Sequence, residues 1–143
     1  YFLDDGAYLM VKLLIELSRA KDRGESLSAV IADLREPKGA REYRMALNTE
    51  DFRPYGESVI AALTQWAKAQ DGVSLADDNF EGVRVNFSPE RGNGWCLLRM
   101  SLHEPLMPLN IESDDVGGVD KIANELYPVL KGFDKLDTEK LKG

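Results

Sequence analysis

The chain has 143 residues, enough for one good core or for a modest domain with an added fragment. Its 43% hydrophobic and 30% charged residues are ordinary for a globular protein, and a net charge of −7 makes nucleic acid and anionic membranes poor partners. The one cysteine, Cys96, excludes an internal disulfide framework, and no apolar run nears the roughly 18 residues that span a bilayer.

The first residues, Tyr1-Phe2-Leu3-Asp4-Asp5, hold neither an initiating methionine nor the basic stretch of a signal peptide. They read as a point inside a longer protein, for which the cytoplasm is the natural setting. Asp4 or Asp5 is placed to cap a helix, since a carboxylate there accepts the orphan N–H groups of the first turn. Met10, Leu13, Leu14 and Leu17 follow at helical spacing, and Gly24 closes that helix. Ser26 or Ser28 opens a second short helix through Val30, Ile31 and Leu34. Residues 35–40, with Pro37 and Gly39, read as a linker. Two such helices cannot bury their apolar faces alone, so residues 1–36 read as the end of a truncated α/β domain and residues 37–143 as a domain of their own.

Beyond the linker, residues 41–48 are expected to form a strand. Pro54 suits the first turn of a helix whose inner face carries Val59, Ala62, Leu63 and Trp66 and which ends near Gly72. A short strand over 73–76 follows. Asp77-Asp78 reads as a solvated turn. Residues 81–87 alternate, with Val83, Val85 and Phe87 on one side and Arg84 and Asn86 on the other. A loop over 88–94 leads to a strand over 95–101. In it Cys96, Leu98 and Met100 share one face, while Trp95, Leu97, Arg99 and Ser101 share the other. The strand from Leu106 carries Pro108, which cannot donate to a ladder and therefore suggests an edge. Asp114 and Asp115 read as capping the last helix, whose stripe is Val119, Ile122, Ala123 and Leu126. Pro128 should kink that helix and Gly132 stop it, leaving a charged, fraying tail over 134–143. These elements sum to an α+β fold, an antiparallel sheet of four or five strands with two helices packed on one face.

The residues that carry chemistry are Arg99, Ser101, Leu102 and His103. A phosphate is held best by an arginine fork, a hydroxyl and backbone N–H groups turned inward. Arg99 and Ser101, two apart on one strand, project from the same face. The backbone N–H groups of Leu102 and His103 sit in the following turn, and the His103 imidazole is a further donor. Cys96, on the core face, reads as a small hydrophobe. One histidine and one cysteine offer no zinc-ligand spacing, and no motif for independent catalysis is present.

The run Arg99-Met100-Ser101-Leu102-His103-Glu104-Pro105 resembles the phosphate-gripping loop of the alpha-D-phosphohexomutases, usually Arg-x-Ser-x-Thr-Glu-Pro. Leu109-Asn110-Ile111-Glu112-Ser113 is most similar to the bacterial phosphomannomutase branch. Glu81-Gly82-Val83-Arg84-Val85 resembles the stretch before the family's phosphate strand, and Tyr1-Phe2 with Asp4-Asp5-Gly6 resembles the end of its third domain. The resemblance implies that residues 37–143 are the fourth, C-terminal domain, a sheet with helices on one face like that of the TATA-box-binding protein. It implies a parent that converts mannose 6-phosphate to mannose 1-phosphate through a phosphoserine in its first domain, with Mg²⁺ held by aspartates in its second. Partners would be the phosphosugar substrate and the parent's own N-terminal domains. The fourth domain would grip the phosphate that is not transferred, through Arg99, Ser101 and the Leu102–His103 turn, and close the cleft, so the chain alone would be inactive. Leu102 stands where Gly or Asn is usual, and His103 replaces a threonine, which would make the grip sensitive to pH near 6 to 7. Alternatives are a phosphoglucomutase or phosphoglucosamine mutase domain, or a non-catalytic phosphate- or protein-binding module.

Overall fold

The computed structural model describes residues 6–77 and 79–142. Asp4, Asp5 and the rest of the opening segment, and Asp78 of the Asp77-Asp78 turn, lie outside the described residues. The chain divides into two compact units between Glu36 and Pro37.

In the first unit a helix, α1, runs over Gly6–Asp22. Gly24 takes a φ of +71°, and its N–H donates to the Lys21 carbonyl at 3.0 Å while that of Glu25 donates to Ala20 at 2.8 Å. That pair of bonds satisfies the helix's last carbonyls, and it needs a left-handed residue that glycine supplies without a Cβ clash. The expected second helix is a single 3₁₀ turn, Leu27–Ile31, and Ser26 precedes it without capping through its side chain. Only Ala20 is buried in α1, while Leu9, Met10, Leu14 and Leu17 remain exposed.

The second unit is an α+β sandwich. Its strands are β1 (Gly39–Ala46), β2 (Val73–Leu75), β3 (Val83–Phe87), β4 (Gly94–Leu98) and β5 (Leu106–Ser113). They form one antiparallel sheet in the order β1-β5-β4-β3-β2. Helix α2 (Phe52–Lys68) turns Gly56, Val59, Leu63 and Ala67 inward, and α3 (Gly118–Leu130) turns in Val119, Ile122, Ala123, Leu126 and Leu130. Both stripes follow the helical period, so each helix buries one face. They meet Tyr43, Met45, Val85, Phe87, Cys96, Leu98, Met107, Leu109 and Ile111 in one cluster. Neither helix of this unit covers the other face of the sheet, where strand alternation places Trp95, Leu97 and Asn110.

Several expectations need correction. The first strand begins at Gly39, inside the expected linker, because Gly39 already pairs with Ser113. Pro108 is buried in a central strand, not an edge, since β5 lies between β1 and β4. In an antiparallel ladder a residue's N–H and carbonyl point to the same neighbour. The Arg99 N–H donates to the Pro108 carbonyl at 3.2 Å, so Pro108 faces β4 and costs β1 nothing. The one bond it cannot give would fall on Arg99, just past the assigned end of β4. The last helix is preceded by Gly117 at a φ of +77°, with no side-chain cap; Asp115 instead takes a bond from the Asn93 amide. Nor does the C-terminal segment fray. Leu136 bridges Leu47, the Asn48 N–H donates to Lys135 and the Asp137 N–H to Ala46, and Leu141 is 1% exposed. Phe133, Leu136 and Leu141 supply enough apolar surface to hold an otherwise charged stretch against the core.

Candidate functional site

The β4–β5 register runs on past the assigned end of β4. Arg99 lies opposite Pro108, and the Ser101 N–H donates to the Leu106 carbonyl at 3.0 Å. The alternation therefore continues, with Leu98 and Met100 toward the helices and Arg99 and Ser101 toward the other face. On the helix side, α2 comes so close that a Cβ at Gly56 would collide with the Met100 side chain.

A short turn follows, closed by the Leu106 N–H donating to the Glu104 carbonyl at 2.8 Å. The Ser101 hydroxyl sits at its centre and accepts from the N–H groups of His103 at 3.4 Å and Glu104 at 3.3 Å. Both bonds are long. Two N–H groups aimed at one neutral oxygen form a concave donor set, the geometry that favours an anion. The converging pair is His103 and Glu104, whereas sequence reasoning expected Leu102 and His103. Leu102 contributes its carbonyl, which accepts from the Arg53 guanidinium at 3.3 Å.

Arg99 is half-buried, and its guanidinium makes no hydrogen bond or ion pair with any described residue. Nearby arginines are engaged. Arg44 pairs with Glu104 at 3.3 Å and Glu42 at 3.5 Å, and Arg84 lies over the Trp95 ring at 4.2 Å from its centroid. A hollow of about 240 Å³ opens beside Arg99, lined by Phe80, Glu81, Met100 and Leu102 among others. Phe80 and Leu102 are both strongly exposed there. A larger hollow, about 370 Å³, lies along β2 and β3 between Gly72 and Ser88, and no charged side chain lines it. Chemistry therefore favours the smaller one. The structure thus leaves Arg99 unneutralised and gathers Ser101 and the His103 N–H around one oxygen, while the side chains of Leu102 and His103 stand exposed.

A third hollow, about 200 Å³ along β1 and β5, is lined by Arg41, already paired with Asp120, and by Glu42 and Glu112, so it does not suit an anion. Burial pushes the Cys96 thiol up to about 12, so it is no nucleophile at neutral pH. Among the described residues no three histidine, cysteine or carboxylate side chains gather as metal ligands. Also among them, no helix is long and apolar enough to cross a membrane. Sequence reasoning missed Arg53 and Arg44. Neither belongs to the motif, and each reaches the turn from far along the chain.

No protein-family model matches the chain, and no curated protein matches it either. A solved structure does. It is a phosphoglucomutase/phosphomannomutase family protein from Burkholderia thailandensis, similar at a TM-score of 0.60 and 26% identity over 92% of this chain. The likeness supports the phosphohexomutase superfamily. The match covers 24% of the neighbour, so the chain spans about a quarter of that protein's length. A phosphohexomutase-type domain is the coarse reading that fold and resemblance share.

Proposed function

We propose that this chain is the C-terminal part of a phosphosugar mutase, with residues 37–143 as the domain that grips the non-transferred phosphate and closes over the substrate. The observation that carries the reading is the unneutralised Arg99 beside a turn whose His103 and Glu104 N–H groups converge on Ser101. A phosphate dianion would take the fork of Arg99, the hydroxyl of Ser101 and the two N–H groups, while the His103 imidazole adds a further donor. The chain's overall negative charge makes this a local pocket set against the global field. Transfer itself, with its phosphoserine and Mg²⁺, would belong to other parts of the parent, in the cytoplasm. Mannose is the proposed hexose, on the resemblance of Leu109-Asn110-Ile111-Glu112-Ser113 to the phosphomannomutase branch.

Amide NMR during titration with mannose 1-phosphate tests the grip. Shifts are expected to concentrate over 99–104 and to vanish in Arg99→Ala, a loss of about 1.5–3 kcal/mol for hydrogen bonds to a charged group. No shift at millimolar ligand, or shifts indifferent to Arg99→Ala, would sink the proposal. In the full-length parent, Mg²⁺-dependent turnover of mannose 6-phosphate should exceed that of glucose 6-phosphate and glucosamine 6-phosphate, and the 143-residue chain alone should show none.

A further inference from the structure

We infer that Arg53, on the first turn of α2, is a positioning residue for the anion site, acting through the Leu102–His103 peptide. This rests on the phosphate-gripping role proposed for the Arg99–Glu104 turn. The Arg53 guanidinium donates to the Leu102 carbonyl at 3.3 Å, across 49 positions of sequence. That carbonyl and the His103 N–H belong to one planar, trans peptide unit, so they point in opposite directions. Holding the oxygen toward α2 aims the N–H away from it, and the His103 N–H is found directed at Ser101. A cation on the carbonyl also polarises the unit and strengthens its N–H as a donor. Arg53 therefore sets both the direction and the strength of one anion-binding donor without touching the anion.

The helix that carries Arg53 is itself held in register with the turn. Gly56, one helical turn further on, lies on the same side of α2 and admits the Met100 side chain. Met100 lies between Arg99 and Ser101. The strand that presents the fork and hydroxyl and the helix that steers the N–H thus meet through one glycine. On its other side the turn is tied to β1 by Arg44 and Glu104 at 3.3 Å. Arg53 is exposed and lies outside the core cluster, so its removal should leave the fold standing.

The test uses the 143-residue chain with inorganic phosphate and mannose 1-phosphate as probes, in Arg53→Ala, Arg53→Lys and Arg99→Ala. Arg53→Ala should weaken both probes roughly three- to tenfold, less than the loss of a charged hydrogen bond made directly to the anion, because Arg53 acts at one remove. It should also move the His103 amide proton before any ligand is added, and Arg53→Lys should recover much of both effects. If Arg99→Ala abolishes binding while Arg53→Ala binds as the parent sequence does, the inference falls and the anion site stands. If Arg53→Ala weakens binding but leaves the free His103 amide in place, Arg53 acts as a direct charge and the inference is again overturned. Binding indifferent to Arg99→Ala would remove the anion site, and this inference with it.

Discussion

Ser101 does two things with one oxygen. It closes the turn by accepting the N–H groups of His103 and Glu104, and its O–H is left to meet an incoming anion. Ser101→Ala is therefore expected to lower stability by about 0.5–1.5 kcal/mol, the usual worth of such bonds, and to weaken phosphate binding as well. Urea unfolding together with the phosphate titration would show both losses. At Cys96 the chemistry runs the other way. Burial raises its folded pKa from 9.0 to about 12, so the folded state holds the proton that the unfolded state releases first. The stability this protects is present below pH 9 and is lost as pH rises from 9 to 12. Cys96→Ser should flatten that part of the stability-against-pH curve. The native thiol should also resist alkylation at pH 8 and react once the chain is unfolded.

At the scale of elements, the contact between α2 and the end of β4 depends on Gly56. A methyl group there would strike Met100, so Gly56→Ala should force the Met100 side chain to move, cancel the roughly 1 kcal/mol that alanine otherwise gains over glycine in a helix, and shift Arg53 away from Leu102. Thermal unfolding would measure the first two effects together and the His103 amide shift the third. At the other end of the domain, Leu141→Ala should cost about 2–5 kcal/mol, as for other buried leucines, although only two residues follow it in this sequence. The strand alternation of Val83, Val85 and Phe87 was legible because each side chain's face follows from a period of two. The Arg99–Ser101 pair was legible for the same reason. Pro108 misled because the proline rule concerns a missing N–H and says nothing about which neighbour would have received it. The tail misled because its charges outnumber its two apolar anchors, Leu136 and Leu141. Arg53 was illegible, since its partner is a backbone carbonyl that only the folded turn brings near.

Over the whole molecule, the two units differ sharply in how much apolar surface they hide. Leu9, Met10, Val11, Leu14, Ile31 and Leu34 are each more than half exposed in the first, whereas the second keeps a contiguous core. The 143-residue chain should therefore bind a hydrophobic dye such as ANS, and a chain of residues 37–143 should bind far less while still unfolding cooperatively. The strand order carries a further consequence, for the order of events during folding. Strands β2 to β5 form a meander of neighbouring hairpins, whereas β1 joins β5 from the far end of the domain. Closing the distant pair costs more chain entropy before any contact rewards it, so β1 should dock after the meander has formed. In stopped-flow experiments Leu98→Ala should then mainly slow refolding, and Tyr43→Ala should mainly hasten unfolding. Arg44 and the strand edge that holds the C-terminal segment are both carried by this late strand. The outer tie on the anion turn should thus be the last to form and the first to let go.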